Sequence, residues 1–126
     1  MIALINERDQ QHQRATALSA AYDRGRFLIT EAVLLEIGNA LARNFRREAE
    51  KVIADFLSSD DVLVVRASPE LFDEAFALYR AHQDKEWGLT DCVSFVAMRQ
   101  AGIHDALTFD QHFMQAGFRA LMRDEN

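Results

Sequence analysis

Three carboxylates, Glu36, Asp91 and Asp110, stand where the hydropathy pattern passes from strand or loop into helix. Glu36 lies a turn and a half into a helix that follows the apolar run Phe27-Leu28-Ile29. Asp91 opens a helix after a polar loop, and Asp110 comes within two residues of a strand at Ala106 to Thr108. In an open α/β sheet the functional crevice lies beyond the carboxyl ends of the strands, so all three can point to one end of the molecule. Carboxylates gathered there repel one another unless a cation sits among them. Oxygen ligands without thiolate or imidazole suit Mg²⁺ or Mn²⁺. Each acid alone also has an ordinary use: Asp91 complements a helix dipole, Asp110 can cap a turn, and Glu36 can lie on a solvated flank. Their convergence is what favours chemistry.

Other reactive side chains make weaker cases. Cys92 has no His-Asp or His-Asn pair in view and reads as a small buried apolar residue. His12, His82, His104 and His112 lie in separate segments without an i, i+4 pair, which suits surface or helix-end positions. Phe72, Phe76 and Tyr79 recur at helical spacing and read as core rather than as a platform for stacking bases. Arg43, Arg46 and Arg47 form the densest basic group; close to Glu36, they are candidates for phosphate contacts.

These residues need elements to position them. The patterning predicts a helix from Glu7 to about Asp23, a strand at Arg26 to Thr30, a helix from Glu31 to Asn44 capped by Thr30, and a helix from Arg47 to Ser58. Val62 to Val65 is the clearest strand. Ser68-Pro69-Glu70 starts a helix reaching about His82, and Thr90 is placed to cap another from Asp91 to Gln100. A strand at Ala106 to Thr108, a short helix from Asp110 to Ala116 and an edge strand at Phe118 to Leu121 complete the reading. Alternating strands and helices imply βαβ units, hence a mainly parallel sheet covered on both faces.

The 126 residues, 49% hydrophobic and 27% charged, suit one domain spanning residues 1–126. No apolar run approaches the roughly 20 residues of a membrane span, and the opening is too short for a signal peptide. A cytoplasmic chain is expected. One cysteine cannot form an internal disulfide, and a net charge of −6 argues against coating nucleic acid by charge alone. It does not exclude a nuclease. Of the fourteen basic residues only Lys51 and Lys85 are lysines, and guanidinium favours planar, bidentate contacts to phosphate.

The segments Thr30-Glu31-Ala32-Val33-Leu34-Leu35-Glu36, Leu89-Thr90-Asp91-Cys92 and Leu107-Thr108-Phe109-Asp110-Gln111-His112-Phe113 resemble the PIN-domain family over essentially the whole chain. More narrowly the set is similar to the VapC-type toxins of toxin–antitoxin pairs. The resemblance implies a three-layer α/β/α fold and Mg²⁺-dependent endoribonuclease activity, with Mn²⁺ as the other fitting ion. By position it implies Glu36, Asp91 and Asp110 as metal-site acids and Thr108 as a polar residue beside them. It also implies an RNA substrate, a cognate antitoxin that inserts into the acidic groove, and a homodimer.

The beginning departs from the family. Its members open with a strand ending in an aspartate followed by Thr or Ser, whereas Met1-Ile2-Ala3-Leu4-Ile5-Asn6 resembles the segment just after it. The first strand and its acid are therefore expected to be missing, leaving two neighbouring strands with unpaired edges and the metal site with one hard ligand fewer. Glu7 and Asp9 fall too far along to replace that acid. An alternative reading is a catalytically impaired PIN-like module that binds an antitoxin or RNA without cleavage. A phosphoacceptor receiver domain fits less well, because neither Lys51 nor Lys85 directly follows a predicted strand.

Overall fold

The computed structural model describes residues 2–4, 26–107 and 111–121, with the side chains of 2–4 and 107 left aside. The predicted helix at 7–23 lies outside these residues. Five strands form one sheet in the order β3-β2-β1-β4-β5, where β1 is Ile2–Leu4, β2 Phe27–Thr30, β3 Val62–Val65, β4 Asp105–Leu107 and β5 Arg119–Ala120. Every pairing is parallel.

The expectation of a sheet without its first strand is corrected here. Ile2–Leu4 takes the central position, with Ala3 in register with Leu28 on one side and Ala106 on the other. The physical reason is the two inner edges of β2 and β4, whose backbone groups must be satisfied and which a short apolar segment can fill. The acid expected to follow that strand falls in residues outside the description.

Five helices accompany the strands: α1 (Glu31–Ala40), α2 (Arg46–Ser58), α3 (Pro69–Ala81), α4 (Leu89–Gln100) and α5 (Gln111–Gln115). The period of two along β2 divides the core. Phe27 and Ile29 join Val33, Leu34, Ile37, Leu41 and Ala49 from α1, its end and α2, with Leu121. Leu28 joins Leu71 and Ala75 of α3, Cys92, Phe95, Val96 and Met98 of α4, and Phe113 of α5. Helices thus cover both faces, giving the three-layer α/β/α arrangement. Around the fully buried Phe95, the rings of Trp87 and Phe113 pack edge-on with centroids at 5.1 and 4.8 Å, an arrangement favoured by the aromatic quadrupole.

Local chemistry sets most helix starts. Thr30 Oγ1 accepts the Val33 amide at 3.3 Å, and Ser68 Oγ accepts that of Leu71 at 3.0 Å with Pro69 next in the chain; both caps were predicted from the residue types. Thr90 is not a cap. The helix begins one residue before it, with Gly88 at the N-cap and the Asp91 carboxylate accepting the Gly88 amide at 3.0 Å. The helix predicted to run to Asn44 ends at Ala40, and residues 41–44 turn towards α2.

Candidate active site

In a parallel sheet the helix following a strand starts at the strand's carboxyl end, and α1 starts there immediately after Thr30. Glu31, its first residue, is used structurally. Its Oε2 accepts Arg66 Nη1 at 2.8 Å and its Oε1 accepts the Ala67 amide at 3.0 Å, tying α1 to the connection after β3. Those two bonds, the Ala67 amide foremost, hold the Glu31 carboxyl below its ordinary value.

Glu36 is partly buried on α1. Ala32, one turn before it, packs against the cluster built largely from α4. Residues four apart share a helix face, so Glu36 lies on the strip of α1 that begins at this packing, followed by Asn39 and Arg43. Helices α1 and α4 touch one another.

Asp91 occupies the third position of α4, where the helix dipole favours negative charge. Its carboxylate is largely covered, at 22% exposure, and its Oδ2 lies 3.4 Å from Nδ1 of His112, itself 20% exposed. At that separation the two interact as charges rather than through a well-formed hydrogen bond. The neighbouring Cys92 is fully buried, and burial first, then the charge of Asp91, pushes its thiol up to about 11 against the opposing effect of Arg99. It is no nucleophile at neutral pH.

His112 is the residue that sequence reasoning placed wrongly. It was expected at a surface or helix end, yet it stands against Asp91. The available signal was its position two residues after Asp110, at the start of a short helix beginning beside a strand's carboxyl end. A second link lies one turn along α5: Trp87 Nε1 donates to Gln115 Oε1 at 3.0 Å. Trp87 precedes α4 by two residues, so the start of α4 is joined to α5 at two places.

Thr108 and Asp110 fall outside the described residues. The His112–Asp91 contact nevertheless carries the end of the β4–α5 connection to Asp91. Arg43 and Arg46 are exposed, beyond the C-terminal end of α1. Seven residues separate Arg43 from Glu36, roughly 10 Å along an axis that rises about 1.5 Å per residue. Phe72, Phe76 and Tyr79 correct another expectation. They are half-exposed rather than core, because α3 turns Leu71 and Ala75 inward instead.

The description of the PIN domain matches residues 1–119. The chain belongs to the PIN-domain family. Among curated proteins, this PIN domain is similar to VapC20 of Mycobacterium tuberculosis, a 23S rRNA-specific endonuclease, with 31% identity over 116 residues. The match spans 92% of this chain and 88% of that protein, in both the CDC 1551 / Oshkosh and the H37Rv strains. Among solved structures, the crystal structure of M. tuberculosis VapC20, a Sarcin-Ricin loop cleaving toxin, superposes with a TM-score of 0.78 at 28% identity. That likeness covers 94% of this chain and 96% of the other.

PIN-domain nucleases use divalent metal, and the donor chemistry was examined for fit. No group of three His, Cys, Asp or Glu converges among the described residues. Two of the three candidate acids, Glu36 and Asp91, are described, on helices that touch. Carboxylate oxygens at this end of the sheet suit Mg²⁺, which takes one or two protein carboxylates and keeps several waters. The residues present fit such an ion. No described helix is long and apolar enough to cross a membrane.

Proposed function

We propose that this chain is a metal-dependent endoribonuclease, the toxin of a toxin–antitoxin pair, hydrolysing phosphodiester bonds in structured RNA. The observation that carries the reading is Asp91, fixed at the start of α4 and set against His112 beside the β4–α5 connection. The likeness to a 23S rRNA endonuclease over nearly the full length of both chains supports the substrate class.

Glu36, Asp91 and Asp110 would hold the metal, with Mg²⁺ the expected ion and Mn²⁺ able to replace it. When bound, such an ion lowers the pKa of attacking water and stabilises charge on the phosphoryl oxygens. The chain itself supplies position. The Gly88 amide fixes one Asp91 oxygen, and the His112 ring restrains the carboxylate from the α5 side. Thr108 is a polar contact beside the acids. Arg43 and Arg46 bind phosphates displaced from the scissile bond along the strand, consistent with their distance from Glu36. An antitoxin silences the nuclease by occupying the acidic crevice.

The test is cleavage of a structured 23S rRNA fragment by the purified chain with Mg²⁺ or Mn²⁺, with EDTA and Asp91→Asn as controls. Cleavage lost in both controls is expected. A folded chain that binds RNA or antitoxin without metal-dependent cleavage would establish the impaired binding module instead.

A further inference from the structure

Helix α3 is apolar on two faces. Leu71 and Ala75 are buried against the sheet and α4, while Phe72, Phe76 and Tyr79 look outward at 47%, 42% and 43% exposure. The outward rings stack along the helix with centroids 6.3 and 6.4 Å apart, and the Arg80 guanidinium lies over the Phe76 ring at 5.6 Å from its centroid. A helix apolar around most of its circumference is one that becomes covered. We propose that this face is covered by the same face of a second copy, in an antiparallel two-fold pair of α3 helices centred on Phe76.

Charge complementarity selects that occupant. Helix α3 carries Glu70, Asp73 and Glu74 in its first half and Arg80 in its last turn. At 100° per residue Asp73 and Arg80 project to the same flank of the aromatic stripe, about 20° apart. Asp73 lies three residues before Phe76 and Arg80 four residues after it. A two-fold axis at Phe76 therefore brings Arg80 level with Asp73 of the second copy, offset by about 1.5 Å along the helices. Both side chains can span the ~8–10 Å between packed helices. The relation is reciprocal, as an isologous interface requires, and yields two identical ion pairs around a six-ring centre. Three acids against one arginine make the same helix a poor surface for RNA phosphates.

The pairing is weak. Three half-exposed rings offer a few hundred Å² per copy, against roughly 800 Å² per partner in a standard interface. A dissociation constant on the order of micromolar follows. The inference rests on the exposed face and not on nuclease activity, so either can fail alone.

The test is sedimentation of the full chain from about 1 to 300 μM, a range that brackets a micromolar constant. The wild type should pass from monomer to dimer, and Phe76→Glu should stay monomeric with an unchanged melting curve. Asp73→Arg and Arg80→Asp each place like charges level across the axis and should weaken pairing on the order of tenfold. The combined D73R/R80D chain should recover the wild-type constant, which a merely structural role for either residue would not produce. A wild type monomeric throughout, a Phe76→Glu chain that still dimerises, or a double variant no better than the singles would overturn the proposal. Loss of RNA binding in Phe76→Glu beside a monomeric wild type would assign the face to RNA instead.

Discussion

Asp91 is held by its own helix as well as by whatever it binds. Asparagine at that position keeps an oxygen for the Gly88 amide and loses the charge, so Asp91→Asn should fold normally. It should weaken Mn²⁺ binding at least tenfold by calorimetry and reduce cleavage a hundredfold or more, on the order expected when one metal ligand loses its charge. Unchanged metal affinity would remove Asp91 from the site. The adjacent Cys92 invites a different measurement. Fully buried and held neutral, its thiol should resist iodoacetamide in the native chain and react once denaturant unfolds it. Glu36, Asp91 and the buried role of Cys92 were legible from residue type and position. His112 was not, because a lone histidine gains meaning only from a partner on another element, and nothing local in the sequence names that partner.

At the scale of the elements, capping chemistry was the most readable feature. Thr30 and Ser68 announce their helices by side chains that accept a nearby amide, a local interaction needing no tertiary context. Ser68→Ala should cost roughly 1 kcal/mol in chemical denaturation. Thr90 misled because a hydroxyl before an acid looks like a cap, while Asp91 performs that task from inside the helix through the Gly88 amide. The outward face of α3 misled for a related reason: spacing of i, i+4 and i+7 identifies a face but not what lies against it. Glu31 offers a test with a sign. Its folded carboxyl is lowered from 4.5 by the Ala67 amide and Arg66, so the chain binds a proton there less readily than when unfolded. Its contribution is present above pH 4.5 and lost as pH falls through the lowered value. Glu31→Gln should therefore flatten that part of the acid limb of a stability profile; an unaltered limb would show that the tie contributes nothing.

At the scale of the whole molecule, the alternation of strands and helices was legible, and the occupant of the central position was not. Ile2–Leu4 is too short to show a period of two, and it is a strand because the edges of β2 and β4 face each other across it. Ala3→Pro removes a donor from this doubly paired strand and should destabilise the fold by about 3 kcal/mol or more. A substitution tolerated within 1 kcal/mol, the range of ordinary surface changes, would show that the central pairing is dispensable. For the proposed RNA contact, Arg43→Ala should lower the dependence of binding on salt by about one counterion.

The register of β1 also has a meaning in time. Ala3, among the first residues made, pairs with Ala106, close to the last. A nascent chain emerges from its N-terminus, and distant pairings form late because the intervening loop must first be closed. The middle of the sheet therefore cannot close while the ribosome still shields the C-terminal portion. A chain proposed to cut ribosomal RNA is thus unassembled for as long as it remains attached to the ribosome that makes it, and its first encounter as a folded enzyme comes only after release.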